Sequence, residues 1–134
     1  MLGAASVIVD DKGRVLLVKH SYGELNWELP GGGGEAGESV EEAARREARE
    51  EIGVELEVDR LTGVYWEPAI RAHHFVFRAR AIGTPRVADP AEIGWFSPDD
   101  LPRPFSDFTM RRIADGLTDQ PIRVHQVGPR VWLR

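Results

Sequence analysis

A chain of 134 residues, 42% hydrophobic and 29% charged, has the makeup of one soluble globular domain spanning 1–134, and no apolar run approaches the length of a membrane span. The absence of cysteine excludes disulfides, thiolate metal sites and cysteine nucleophiles, so any metal must bind through oxygen or histidine. A net charge of −5 argues against a broad basic face for duplex nucleic acid, and a phosphate substrate would need local cations.

Met1-Leu2-Gly3-Ala4-Ala5 lacks the basic start and long apolar stretch of a secretory signal, so the expected location is cytoplasmic. The apolar runs Ala5 to Val9 and Val15 to Val18 flank Asp10-Asp11-Lys12-Gly13, which predicts a hairpin. Val15-Leu16-Leu17-Val18 has no polar alternation and reads as a strand covered on both faces. After Trp27-Glu28-Leu29 and Pro30, the glycines 31, 32, 33, 34 and 37 read as a loop. A helix is expected from Ser39, with Ser39 and Glu42 forming a capping box, to Gly53 as terminator. Val54, Leu56 and Val58 alternate with acids as a half-buried strand that continues through Val64-Tyr65-Trp66. Phe75 and Phe77 mark a further strand, and Ile93 to Phe96 a short one. Ser106 to about Asp115 is predicted helical, burying Met110, Ile113, Ala114 and Leu117. Two short apolar segments, Ile122 to Val127 and Val131 to Leu133, follow around Gly128-Pro129. Strands, helix, strands, helix give a mixed sheet with helices packed on it.

The first helix carries acids in an unexpected phase. At about 100° per residue, Val40, Ala43, Ala44 and Ala48 form one stripe that must face the core. Glu47 and Glu51 fall within that stripe and Glu50 at its edge, whereas Glu41, Glu42, Arg45 and Arg49 point to water. Like charges at these spacings repel, and desolvation makes the repulsion worse. A hard divalent cation relieves it, and Mg²⁺ or Mn²⁺ uses a few carboxylates, waters and substrate phosphate oxygens. No paired-histidine pattern accompanies the acids, which disfavours zinc. The glycines before the helix permit close backbone approach to a ligand, and a helix N-terminus favours anions.

These residues together match the Nudix box: Gly32, five residues, Glu38, seven residues, then Arg46-Glu47-Ala48-Arg49-Glu50-Glu51-Ile52-Gly53-Val54. Trp27 to Gly32 resembles the entry to that motif, and Glu92-Ile93-Gly94-Trp95-Phe96 with Asp100-Leu101-Pro102 is similar to a later segment of the family. The resemblance implies a Nudix α/β/α sandwich with a mixed β-sheet, and Mg²⁺-dependent hydrolysis of a pyrophosphate joining a nucleoside to another group. It implies that Glu47, Glu50 and Glu51 bind metal or, for one of them, act as base. Gly31 or Gly32 would lend a backbone carbonyl, Arg46 would hold a box glutamate in place, and Glu38 would support the metal shell. Two carboxylates remain open as the base that takes the water's proton, Glu50 in the box and Glu92 in the later segment.

Base recognition is thinly marked. Trp27, Tyr22, Trp66 and Phe105 are candidate stacking surfaces, and Arg71, Arg78 and Arg80 are candidate phosphate contacts, with Trp27 and Arg78 taken forward as substrate-binding residues. Expected partners are a small nucleotide-type substrate, no duplex nucleic acid and no membrane, in a monomer or homodimer. The rival reading is a non-catalytic nucleotide-binding or regulatory module on the same fold, which would not need an intact set of Arg46, Glu47, Glu50 and Glu51. A third is an interaction domain whose acidic helix has no ligand.

Overall fold

The computed structural model describes residues 1–90 and 92–134. The strands are β1 (Leu2–Ile8), β2 (Val15–Lys19), β3 (Trp27–Glu28), β4 (Gly31–Gly33), β5 (Glu55–Glu67), β6 (Ala72–Ile82), β7 (Glu92–Phe96), β8 (Phe105–Ser106), β9 (Val124–Gln126) and β10 (Trp132–Leu133). The helices are α1 (Val40–Ile52) and α2 (Asp107–Gly116). A five-stranded sheet runs β4-β1-β6-β5-β9, a three-stranded sheet β3-β2-β7, and β10 pairs with β8. The large sheet is mixed: β1 lies parallel to β6 and β5 parallel to β9, while its other pairings are antiparallel.

Period-two alternation in the strands makes three layers. Ala4 and Ile8 of β1, Phe77 and Ala79 of β6 and Leu56 of β5 pack with Ala43, Ala44, Ala48 and Ile52 of α1. Ala5 and Val7 of β1, Val76 of β6 and Tyr65 of β5 turn the other way and pack with Phe108 and Ile113 of α2. The sheet is thus covered by a helix on each face, the expected α/β/α sandwich. In β2, Val15, Leu16, Leu17 and Val18 are fully buried and divide between the same two cores, as an unalternating apolar run requires.

Three local expectations are corrected. The turn after β1 forms, with Asp10 Oδ1 accepting from the backbone N–H of Lys12 and Arg14, but only Val9 and Val15 bridge across it. β1 and β2 then part into different sheets, because β1 takes β6 and β4 as neighbours, so there is no extended hairpin. The glycine stretch is not all loop: Gly31–Gly33 pairs with β1 in the register Ala4↔Gly32 and Ala5↔Gly31. A side chain could not follow, since a Cβ on Gly31 would strike the Ala4 carbonyl oxygen and lie 2.7 Å from Ala5 Cα.

The third correction is the phase of α2. Met110, Ala114 and Leu117 are exposed, while Phe108, Thr109, Arg112, Ile113 and Gly116 are buried. A buried arginine was outside the apolar-periodicity argument, and it is held by partners from distant parts of the chain. Helix α1 begins with Ser39 as N-cap, accepting from the Glu42 N–H at 3.1 Å, and ends on Gly53 at φ 65°, ψ 29°. The return bond from Glu42 does not form among the described residues, so only half of the capping box is realised.

Candidate active site

Burial of the alanine stripe decides where the box acids go. With Ala44 and Ala48 locked against the sheet, Glu47 sits with 15% of its side chain exposed, beside β4. A Cβ on Gly32 would lie 2.5 Å from Glu47 Oε1, so glycine is what leaves room for the carboxylate. Glu51 is one turn further on and accepts a 2.7 Å hydrogen bond from the Gly31 N–H. Glu50, placed at the edge of the stripe by the helical period, faces out with its side chain 57% exposed.

Arg46 organises this cluster. Its guanidinium donates to both oxygens of Glu38, with the shorter bond 2.8 Å, to Glu47 at 3.1 Å, to Glu50 at 3.1 Å and to the Gly33 carbonyl at 2.9 Å. The bond to Glu38 holds Arg46 charged well above its ordinary range and, reciprocally, holds the Glu38 carboxyl below its own. Arg46 thus ties Glu38, Glu47 and Glu50 to the Gly33 backbone.

Burial pushes Glu47 above the ordinary carboxyl value, against the pull of Arg46. It pushes Glu51 to about 8, with the Gly31 N–H opposing and the nearby charges of Glu47 and Asp89 adding to the rise. Two partly buried carboxyls side by side are held back from ionising together, a cost that a bound cation would relieve. Among the described residues, no group of three or more histidine or acidic side chains is placed to hold a metal ion by itself. An open arrangement of oxygen donors beside glycine backbone suits Mg²⁺, which keeps waters and takes substrate oxygens. The residues fit the ion: oxygen-only donors, two of them destabilised as bare anions, beside a backbone whose Cβ atoms would fill the space.

Two adjoining clefts share His20, Tyr22 and Gly31. One, of about 330 Å³, is lined by Glu47, Glu51, Asp89 and Pro90. The other, of about 280 Å³, lies on the α2 side of the sheet and is lined by Glu28, His74, Arg112 and Arg130 along with β1 and β4 backbone. The loop holding Asp89 is tied to the end of α1, since Arg86 N–H donates to the Ile52 carbonyl and Ala88 N–H to that of Glu51.

The second cleft has walls that sequence reasoning missed. Arg112 donates to Glu28 Oε1 at 2.6 Å and stacks over Phe108, its Cζ 3.9 Å from the ring centroid. The same oxygen also accepts from Thr109 Oγ1 and the Leu29 N–H. Glu67 Oε1 accepts from Arg130 at 3.1 Å and bonds His74 Nε2 at 2.8 Å. Burial lowers the His74 pKa despite that carboxylate. The available signal was the Phe108–Arg112 spacing of four on α2, which puts a guanidinium over the ring one turn earlier.

Other candidates lie elsewhere. Trp27 is 7% exposed and packs edge-on against Phe96 at 4.9 Å, so its ring is committed to the core and gives no stacking platform. Arg78 pairs with Asp59 and Asp119 beside α2's end and lines neither cleft. Arg80 pairs with Asp11, Phe105 is buried, and Trp66 packs on His73. Glu92 lies on β7 with its side chain 64% exposed and 4.0 Å from Lys19 Nζ, and it lines neither cleft. Of the four aromatics, Tyr22 is the one at the clefts, 68% exposed and stacked on His20 with centroids 4.8 Å apart.

The NUDIX domain family matches residues 1–117 of this chain, which includes the whole box and both sheets' main strands. The chain belongs to the Nudix family. A Bacillus subtilis relative, provisionally named an 8-oxo-dGTP diphosphatase, is 34% identical over 132 residues, covering 94% of this chain and 88% of its own. The ADP-ribose pyrophosphatase of Methanocaldococcus jannaschii is 36% identical over 108 residues, 75% of this chain and 64% of that protein. The crystal structure of a MutT NUDIX hydrolase from Burkholderia pseudomallei superposes with a TM-score of 0.77 at 35% identity, covering 87% of this chain and 97% of that one. This Nudix chain is therefore a hydrolase of that family, and its Arg46-centred carboxylate cluster lies on the residues that define the box.

Proposed function

We propose that this Nudix hydrolase uses Mg²⁺, with Mn²⁺ as a substitute, to hydrolyse the pyrophosphate bond of a nucleoside diphosphate linked to a further group. The observation that carries the reading is the pairing of Glu47 and Glu51 against Gly32 and Gly31, two carboxyls raised by burial with glycine clearance beside them. Glu47 and Glu51, with a Gly31 or Gly32 carbonyl, would hold the ion. When bound, it would offset their charge, draw in the diphosphate and acidify an attacking water. Water attacks one phosphorus, the bridging P–O bond breaks, and the leaving phosphate carries away the bridging oxygen.

For the base, the geometry favours Glu50 over Glu92. Glu50 stands on the same helix as Glu47 and Glu51 and shares the Arg46 guanidinium with Glu47, whereas Glu92 is on β7 beside Lys19. A nucleoside triphosphate is the favoured substrate class, because the relative of nearly full coverage bears a nucleoside-triphosphate name. The test is product release from a panel of nucleoside triphosphates, ADP-ribose and nucleotide sugars, with and without chelator. Mg²⁺-dependent cleavage in the parent and its loss in Glu51→Gln are expected. A parent that cleaves nothing, or a Glu51→Gln protein as active as the parent, overturns the reading.

A further inference from the structure

The family match ends at residue 117, yet Arg130 of the following segment lines the second cleft. Residues 118–134 form a strap with four fixings. β9 pairs with β5, the Val127 N–H donates to the Trp66 carbonyl, the Asp107 N–H donates to the Val131 carbonyl, and β10 pairs with β8. Arg130 stands between the second and third of these, so its backbone position is set from both sides. Its guanidinium reaches Glu67 and lies 5.3 Å from the centroid of the Phe108 ring that Arg112 also covers. Beyond it, Arg134 pairs with Glu24 at 2.7 Å, which holds the strap to the loop that carries Tyr22.

We infer that this strap is a specificity element, and that Arg130 contacts the nucleobase of the substrate in the cleft lined by Glu28, His74 and Arg112. The inference rests on the proposal that Glu47 and Glu51 mark the pyrophosphate end. Three observations choose a base over a second phosphate. Each cleft arginine is already matched by a carboxylate, Arg112 by Glu28 and Arg130 by Glu67, so the walls offer donors and acceptors without a surplus of positive charge. A neutral heterocycle uses both, whereas an anion would face the Glu28 carboxylate in the cleft wall. The volume of about 280 Å³ is at the small end for ligand pockets and suits one ring system. Tyr22 at the mouth supplies an exposed ring face on which a base stacks.

The experiment measures binding, so it does not depend on turnover. Titrate the four common nucleoside 5′-monophosphates, and ribose 5-phosphate as a base-free control, into the parent and Arg130→Gln by calorimetry. The parent is expected to bind at least one monophosphate about tenfold or more tighter than ribose 5-phosphate, and Arg130→Gln to lose that preference while binding the control equally. Arg130→Lys, which keeps the charge but not the planar fork, stands in if the Gln variant melts early, with the same loss expected. A parent without base preference, or a variant that keeps it, overturns the inference. A parent that binds bases but cleaves no pyrophosphate would overturn only the hydrolytic proposal.

Discussion

Glu51 sits under opposing demands. Its place in the apolar stripe of α1 removes it from water, and its neighbours Glu47 and Asp89 add negative charge, while a single backbone N–H from Gly31 favours its ionised form. In the metal-free protein its pKa is about 8 against an ordinary 4.5, so the native state holds this proton more tightly than the unfolded chain does. The consequence has a fixed sign: stability is greatest below the unfolded value and falls as pH rises through about 8. Chelator-treated parent should therefore lose melting temperature between pH 5 and 8 more steeply than Glu51→Gln; parallel curves would refute the assignment. Gly32→Ala tests the same site from the other side. A Cβ placed 2.5 Å from Glu47 Oε1 must displace the carboxylate, so activity should fall by about 10- to 100-fold, as for disturbed metal-ligand supports, while the fold persists. Unchanged turnover would mean that the glycine is there only for β4.

At the scale of elements, both helices were legible from their ends. Ser39 and Ser106 cap α1 and α2 through the N–H three residues on, and Gly53 closes α1 in the left-handed region that glycine tolerates. Gly53→Ala should cost about 1 kcal/mol or more, seen as a lower denaturant midpoint with activity retained per folded molecule. The buried face of α2 was not legible, because apolar periodicity assigns an arginine to water. Arg112 is buried since Glu28, from a strand more than eighty residues earlier, meets it at 2.6 Å and Phe108 offers its ring. Removing one member of a buried pair strands the other: Arg112→Ala is expected to destabilise by about 3–5 kcal/mol, whereas Arg112→Ala with Glu28→Gln should recover part of that loss. A single variant as stable as the parent would show that Glu28 is solvated without its partner.

For the whole molecule, a cation that binds only the folded chain must raise its melting temperature. Mg²⁺ at about a hundred times its dissociation constant should add about 2.7 kcal/mol, reversibly with chelator, and Glu47→Gln should abolish most of the gain. No shift in the parent would sink the metal reading. The sequence by itself determined the carboxylate end of the site. The acids, the arginine and the glycines of the box lie within one local stretch, Gly32 to Val54, where helical period and glycine clearance fix their relative positions. The same local logic produced the hairpin expectation, and failed there because strand pairing is set by partners far along the chain: β1 takes β6 and β4. Tertiary structure alone decided which aromatics and arginines line the clefts. Trp27 and Arg78 went to the core and to surface ion pairs, and Arg112, Arg130, His74 and Tyr22 came together at the clefts. That choice depends on sheet register and on how segment 118–134 crosses α2, long-range pairings that leave no local period in the sequence.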